Sequence, residues 1–146
     1  MRYVLGFAFN MRGYVALIKK SKPDWQAGRW NGIGGKVEPT DASDAAAMAR
    51  EFEEETGVWI EPAQWRRVGT MANPQEGWAV EVFTAVDPHV SDVDTMEEEE
   101  VKLWHPDAFM YYSNRSRVMN NVPALIQLCQ IEPERHGVPK FALVYQ

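Results

Sequence analysis

Two apolar runs of β type open the chain, Tyr3 to Phe9 and Tyr14 to Lys19, parted by Asn10-Met11-Arg12-Gly13. A polar break ending in glycine between such runs predicts a hairpin. From Lys20 to Gly35 neither the strand nor the helix period holds. Gly, Pro, Trp and Asn mark that stretch, and it reads as one long loop, a kind of segment that in compact domains commonly carries function. Helical spacing appears at Ser43 to Thr56, where Ala45, Met48, Ala49 and Phe52 form one apolar stripe. Ser43 suits the N-cap, Asp44 the first turn, and Gly57 the left-handed stop.

Val58 to Ile60, Trp65 to Met71 and Trp78 to Val86 read as further strands, with a turn at Asn73-Pro74-Gln75-Glu76-Gly77. An acidic loop, Asp92 to Glu99, leads into the alternating run Glu100 to Trp104. Pro106 to Met110 can make one helical turn. Arg115 to Gln130 carries a helical stripe of Val118, Val122, Leu125, Ile126 and Cys129, and Pro123 within it predicts a kink or a later start. Phe141 to Tyr145 reads as a last short strand. The order predicts a mixed α+β, or α/β, fold in one domain spanning residues 1–146.

Composition narrows the function. A chain of 146 residues with 45% hydrophobic content can bury a proper core. Its net charge of -6 disfavours long nucleic acid and anionic membranes as partners. A phosphorylated small molecule is still compatible, because divalent cations reverse the local field. Cys129 is the only cysteine, so no intrachain disulfide forms and a reducing compartment, the cytoplasm, is expected. The opening apolar run is too short to span a bilayer and lacks a cleavage site, so no membrane segment or signal peptide is expected. A homodimer stays open at this stage.

The densest chemistry lies at Arg50-Glu51-Phe52-Glu53-Glu54-Glu55, preceded by the glycine-rich Gly34-Gly35-Lys36-Val37-Glu38. At roughly 100° per residue, Glu54 and Glu55 lie about -60° and +40° around the helix from Glu51. These three share a face, while Glu53 points to solvent. An isolated acidic run is usually a solvated face. Two neighbours argue otherwise: Arg50 can hold a carboxylate by paired hydrogen bonds, and the double glycine lets backbone approach a metal or phosphate closely. Hard carboxylate oxygens suit Mg2+ or Mn2+. His89, His105 and His136 are scattered, which argues against zinc.

At these residues the chain resembles the Nudix (MutT-type) hydrolases, whose signature is G-x5-E-x7-R-E-U-x-E-E-x-G-U, with U a bulky aliphatic residue. Gly35, Arg50, Glu51, Phe52, Glu54, Glu55, Gly57 and Val58 match, with Phe52 aromatic at an aliphatic position. The middle glutamate is replaced by Asp41, and eight residues rather than seven separate it from Arg50. The extra residue is expected at Thr40 to Ala42, before the helix, with Asp41 left peripheral.

The resemblance implies an α/β/α sandwich around a mixed sheet. It also implies a metal site at Glu51, Glu54 and Glu55 with a carbonyl of Gly34 or Gly35, and an Arg50 that orients Glu51. Water would attack a phosphorus of a nucleoside diphosphate derivative. The general base varies in this family between a signature glutamate, here Glu51, and one on a distant loop, for which Glu98 and Glu99 of the second acidic run are the candidates. Substrate-binding candidates are Trp30, Asn31, Lys36 and Glu38, because Arg29 to Val37 is similar to the segment of relatives that cleanse oxidised purine nucleoside triphosphates. Trp25, Trp78 and Tyr112 are further stacking candidates, although each aromatic taken singly is by default a core residue. Arg115 and Arg117 suit phosphate or plain solvent exposure. Those relatives carry an aspartate pair near the final helix, which is missing here and weakens an oxidised-guanine assignment. A (d)NTP pyrophosphatase is the first expectation. ADP-ribose or dinucleotide hydrolysis is the second, and a silent nucleotide-binding module the third.

Overall fold

The computed structural model describes residues 1–109, 117–131 and 141–145. β1 (Arg2–Phe9) and β2 (Val15–Lys19) pair antiparallel with Phe9 opposite Val15. Asn10 Oδ1 accepts from the Arg12 and Tyr14 N–H groups, and Gly13 sits at φ 81°, so the predicted hairpin closes. The long loop ends earlier than its composition suggests. Trp30–Asn31 (β3) pairs with β2, and Ile33–Lys36 (β4) pairs with β1. Strands so short and glycine-rich show no period of their own, and their neighbours in the sheet define them.

β5 (Arg66–Asn73) and β6 (Trp78–Val86) form an antiparallel pair with a bulge between Arg67 and Gly69. Asn73 Oδ1 accepts from the Gln75 and Glu76 N–H groups in the turn between them. β1 runs parallel to β6 along its whole length. β7 (Val101–Trp104) pairs with β2, and β8 (Phe141–Val144) runs parallel to β5. The sheet follows the path β3-β2-β1-β6-β5-β8, with β4 on β1 and β7 on β2. Val58 to Ile60 is not a strand. Val58 and Ile60 are buried around an exposed Trp59, which imitates strand alternation without a ladder partner, and a 3-10 turn at Pro62–Gln64 follows.

Strand alternation sends residues to opposite faces, and each face has its own apolar cluster. Val4, Ala8, Ile18 and Phe83 meet Met48, Ala49 and Phe52 of α1 (Asp44–Thr56) on one side. Leu5, Phe7, Leu17 and Val82 meet Val122, Leu125, Ile126 and Cys129 of α2 (Val122–Gln130) on the other. This is the expected α/β/α layering around a mixed sheet. Phe52 and Met48 are fully buried, each stabilising the layer by about 1.5–3 kcal/mol. Ser43 Oγ accepts from the Ala46 N–H, and Gly57 ends α1 at φ 77° with its N–H on the Glu53 carbonyl. α2 takes the later start that Pro123 predicts, with proline in its first turn. Residues 117–121 are not helical, and the remainder of the predicted Arg115–Gln130 helix, with Tyr112 and Arg115, lies outside the described residues. No helix among the described residues is long and apolar enough to cross a membrane.

Candidate active site

Packing Phe52 into the core fixes the rotation of α1, so Glu51 and Glu55 lie half-buried at its flank while Glu53 and Glu54 are exposed. Arg50 organises this surface. Its Nε and Nη2 each donate to Asp41 at 2.9 Å, a bidentate grip, and Nη1 donates to Glu51 at 2.8 Å and to Glu54 at 3.2 Å. Asp41 is therefore not peripheral. The additional loop residue is absorbed before Ser43, and Asp41 still reaches Arg50 across it. Arg50 holds the Asp41 carboxyl below its ordinary range, and Asp41 in turn pushes the guanidinium further up.

The backbones of Lys36 and Glu38 belong to this bracket. The Lys36 carbonyl accepts from Arg50 Nη2, and the Glu38 N–H donates to Asp41 Oδ2. Both side chains are exposed, and neither lines the cleft described below.

The two glycines have different reasons to be glycine. A Cβ on Gly34 would stand 1.9 Å from the Val4 carbonyl oxygen, because β4 lies directly on β1. A Cβ on Gly35 would stand 2.4 Å from Glu51 Oε2. The bare Gly35 backbone thus forms the floor against which the Glu51 carboxylate rests.

Burial pushes the Glu51 carboxyl up, partly countered by Arg50. Glu55 is pushed up to about 7, first by burial and then by the charges of Glu97 and Glu99. Glu55 Oε2 is buried without a hydrogen-bond partner. Glu97, which lay in the predicted acidic run but was not singled out, is exposed and its charge adds to this upward shift. Glu98 is exposed and carries no hydrogen bond or ion pair among the described residues. Glu99 accepts from Lys20 Nζ at 2.8 Å and from the Ser21 N–H. Burial alone would raise its carboxyl, but these donors hold it low.

Among the described residues no three acidic, histidine or cysteine side chains converge to grip a metal ion as they stand. Glu51 and Glu54 converge on Arg50 Nη1 instead. The donors nevertheless fit a hard cation: all are carboxylate oxygens, and Glu55 Oε2 is an orphaned buried acceptor.

On the other side of Gly34 and Gly35 opens a cleft of about 760 Å³, within the size range of small-molecule sites. Asn31, Trp25 and Trp78 line it, with Tyr3, Met71, Asn120 and Asn121. Lys20, Lys22 and Arg29 bring positive charge, and no Asp or Glu among the described residues lines it. The Gly32 N–H holds Asn31 Oδ1 at 2.8 Å, leaving its NH2 group with hydrogen bonds to give. Trp30 stands apart. It is 4% exposed and packs edge-on against Trp104, making it a core residue rather than a ligand platform. Arg117 stacks over Trp104 and is likewise absent from the cleft lining. Asn120 and Asn121 were missed in the sequence because only the fold brings the segment before α2 to this wall.

The NUDIX domain model matches residues 1–121 of the chain. No curated protein sequence matches. Among solved structures, a NUDIX hydrolase from Nitrosomonas europaea is 19% identical with a TM-score of 0.69, the match covering 99% of this chain and 77% of that one. The NUDIX domain of Shewanella oneidensis NrtR, solved with ADP ribose, is 18% identical with a TM-score of 0.63, covering 88% and 84%. A MutT/nudix family protein from Enterococcus faecalis is 21% identical with a TM-score of 0.58; the match covers 70% of this chain but spans only 42% of that longer one. With the family model matching most of its length and the Arg50 and Glu51 network in place, the chain belongs to the NUDIX domain family.

Proposed function

We propose that this protein hydrolyses (d)NTPs to a nucleoside monophosphate and pyrophosphate in the presence of Mg2+, with Mn2+ as a substitute. One observation carries the reading: Gly35 is shared by two unlike surfaces, an aromatic and amide-lined cleft and a carboxylate-bearing helix face. A nucleotide laid across that glycine places its base among Asn31, Trp25 and Trp78 and its phosphates beside Glu51. Glu51, Glu54 and Glu55 would hold the metal, aided by a Gly34 or Gly35 carbonyl. When bound, Mg2+ screens phosphate charge and lowers the pKa of a coordinated water.

The remaining work falls to the chain itself. Arg50, anchored on Asp41, orients Glu51 and Glu54. The water proton goes to a carboxylate of the second acidic run. Glu98 is the free one of the two sequence candidates, since Glu99 is bonded to Lys20 and Ser21. A reducing compartment such as the cytoplasm suits the lone buried Cys129.

ADP-ribose hydrolysis is the second reading, supported by the shared fold with the NrtR NUDIX domain that was solved with ADP ribose. The deciding experiment is a screen of nucleoside triphosphates, ADP-ribose and dinucleotides with Mg2+ or Mn2+, measuring release of pyrophosphate and phosphate. Turnover of ADP-ribose without any triphosphate selects the second reading. No turnover of any nucleotide leaves a silent binding module.

A further inference from the structure

The ten residues from Lys20 to Arg29 form a closed loop. Lys20 N–H donates to the Arg29 carbonyl at 2.9 Å, and Gly28 N–H donates to the Lys20 carbonyl at 2.8 Å. Within it, Gln26, Ala27 and Arg29 N–H groups bond to carbonyls of Pro23, Asp24 and Gln26. The loop is therefore internally braced, a compact surface loop whose ends lie close together. It supplies one wall of the cleft through Lys20, Lys22, Trp25 and Arg29, with Trp25 66% exposed.

What holds that stem is Glu99. Its Oε1 accepts from Lys20 Nζ at 2.8 Å, and its Oε2 accepts from both the N–H and the Oγ of Ser21, the latter at 3.2 Å. The Glu99 side chain is only 10% exposed, so these charge-assisted bonds are sheltered from water. The next residue continues the grip, since Lys19 N–H donates to the Glu100 carbonyl, and β7 begins at Val101 on β2. Toward the helix, Glu99 and Lys20 both act on the charge of Glu55.

We propose that Glu99 is a positioning residue for the nucleotide: by clamping Lys20 and Ser21 it holds the 20–29 loop in place to form the base-binding wall. It rests on the nucleotide-hydrolase reading given above, and it assigns Glu99 a role other than proton abstraction. A base must be free to take a proton, whereas Lys20 and Ser21 already bond both oxygens of this carboxylate.

The test is a double-mutant cycle of Glu99→Gln and Lys20→Met, with Glu99→Asp as the conservative rescue. Steady-state turnover of the best triphosphate is read with calorimetric binding of a non-hydrolysable triphosphate in metal-free buffer. The expected result for Glu99→Gln is a rise of about tenfold in KM and in Kd, with kcat changed less than about threefold and the pH profile of kcat unmoved. Lys20→Met should weaken binding similarly, and the double variant should be no worse than either single one. Glu99→Asp should recover part of the affinity. A collapse of kcat by a hundredfold or more with loss of the acidic limb of the pH profile, at unchanged KM, would make Glu99 the base and overturn the proposal. Equal affinities for wild type and Glu99→Gln, or fully additive losses in the double variant, would also overturn it. Should Glu99→Gln fail to fold in a thermal melt, Lys20→Met and Glu99→Asp carry the same comparison. Absence of turnover in the wild type would defeat the hydrolase reading alone, because the binding measurement still reports the clamp.

Discussion

Asp41 and Arg50 face each other through two parallel hydrogen bonds of 2.9 Å, although the loop between them holds one residue more than the signature spacing. The pair turns an irregular loop into the fixed end of a chain that runs from Asp41 through Arg50 to Glu51 and Glu54. Removing the Asp41 charge with Asp41→Asn should release Arg50. About 1.5–3 kcal/mol of stability in a urea titration is the expected loss for this charge-assisted contact. A fall of about tenfold in kcat/KM should accompany it, and unchanged activity would show that Arg50 needs no anchor.

The carboxylate set is tested by Glu54→Gln and Glu55→Gln. Each should lower Mg2+-dependent turnover by about a hundredfold, as expected when ~3 kcal/mol of transition-state charge stabilisation is lost. Circular dichroism should stay that of the wild type. Undiminished activity in both variants defeats the metal assignment.

Glu55 also predicts a pH dependence in the metal-free protein. Its folded pKa of about 7 lies above the ordinary value of 4.5, so the fold binds a proton that the unfolded chain has already released. That contribution is fully present below about 4.5 and is lost as pH rises through about 7. Asp41 and Glu99 are shifted downward and act only in more acidic solution. Melting temperature measured from pH 5 to pH 8 should therefore fall more steeply for wild type than for Glu55→Gln. Parallel curves would reject the shift.

The two glycines should separate by mechanism. Gly34→Ala drives a Cβ into the rigid Val4 backbone and should cost about 3 kcal/mol, the upper range for overpacking. Gly35→Ala meets the movable end of Glu51, so its stability loss should be smaller while activity drops because Glu51 is displaced. Paired denaturation and activity assays distinguish them, and equal stability losses would contradict this account.

Trp25 and Trp30 offer a comparison of cleft with core. Trp30→Ala should destabilise by about 3–5 kcal/mol, as removal of a buried aromatic does. Trp25→Ala should leave the melting temperature nearly unchanged and weaken nucleotide binding. A Trp25→Ala variant with wild-type Kd would remove it from the binding surface.

Much of α1 was legible in advance because its determinants are local. Ser43, Gly57 and the spacing of Met48, Ala49 and Phe52 act within a few turns of helix, and so does the shared flank of Glu51 and Glu55, whereas Glu54 is exposed like Glu53 and meets Glu51 only at Arg50. The failures lie where partners are distant. β3 and β4 were hidden in a glycine-rich stretch because only pairing with β2 and β1 makes them strands. Val58 to Ile60 alternates in burial around Trp59, a pattern that any segment running along a core edge can show without a ladder.

The sequence by itself determined the family motif, the capped helix and the identity of its acids, since residues three and four apart on a helix must share a face. Tertiary structure alone decided that Asp41 anchors Arg50, that Trp25 rather than Trp30 faces the cleft, and that Glu99 is bonded to Lys20. The last pair lies 79 residues apart in the chain. Side-chain direction in loops, and contact across such separations, follow from how the sheet and its two helix layers close, which no local spacing encodes.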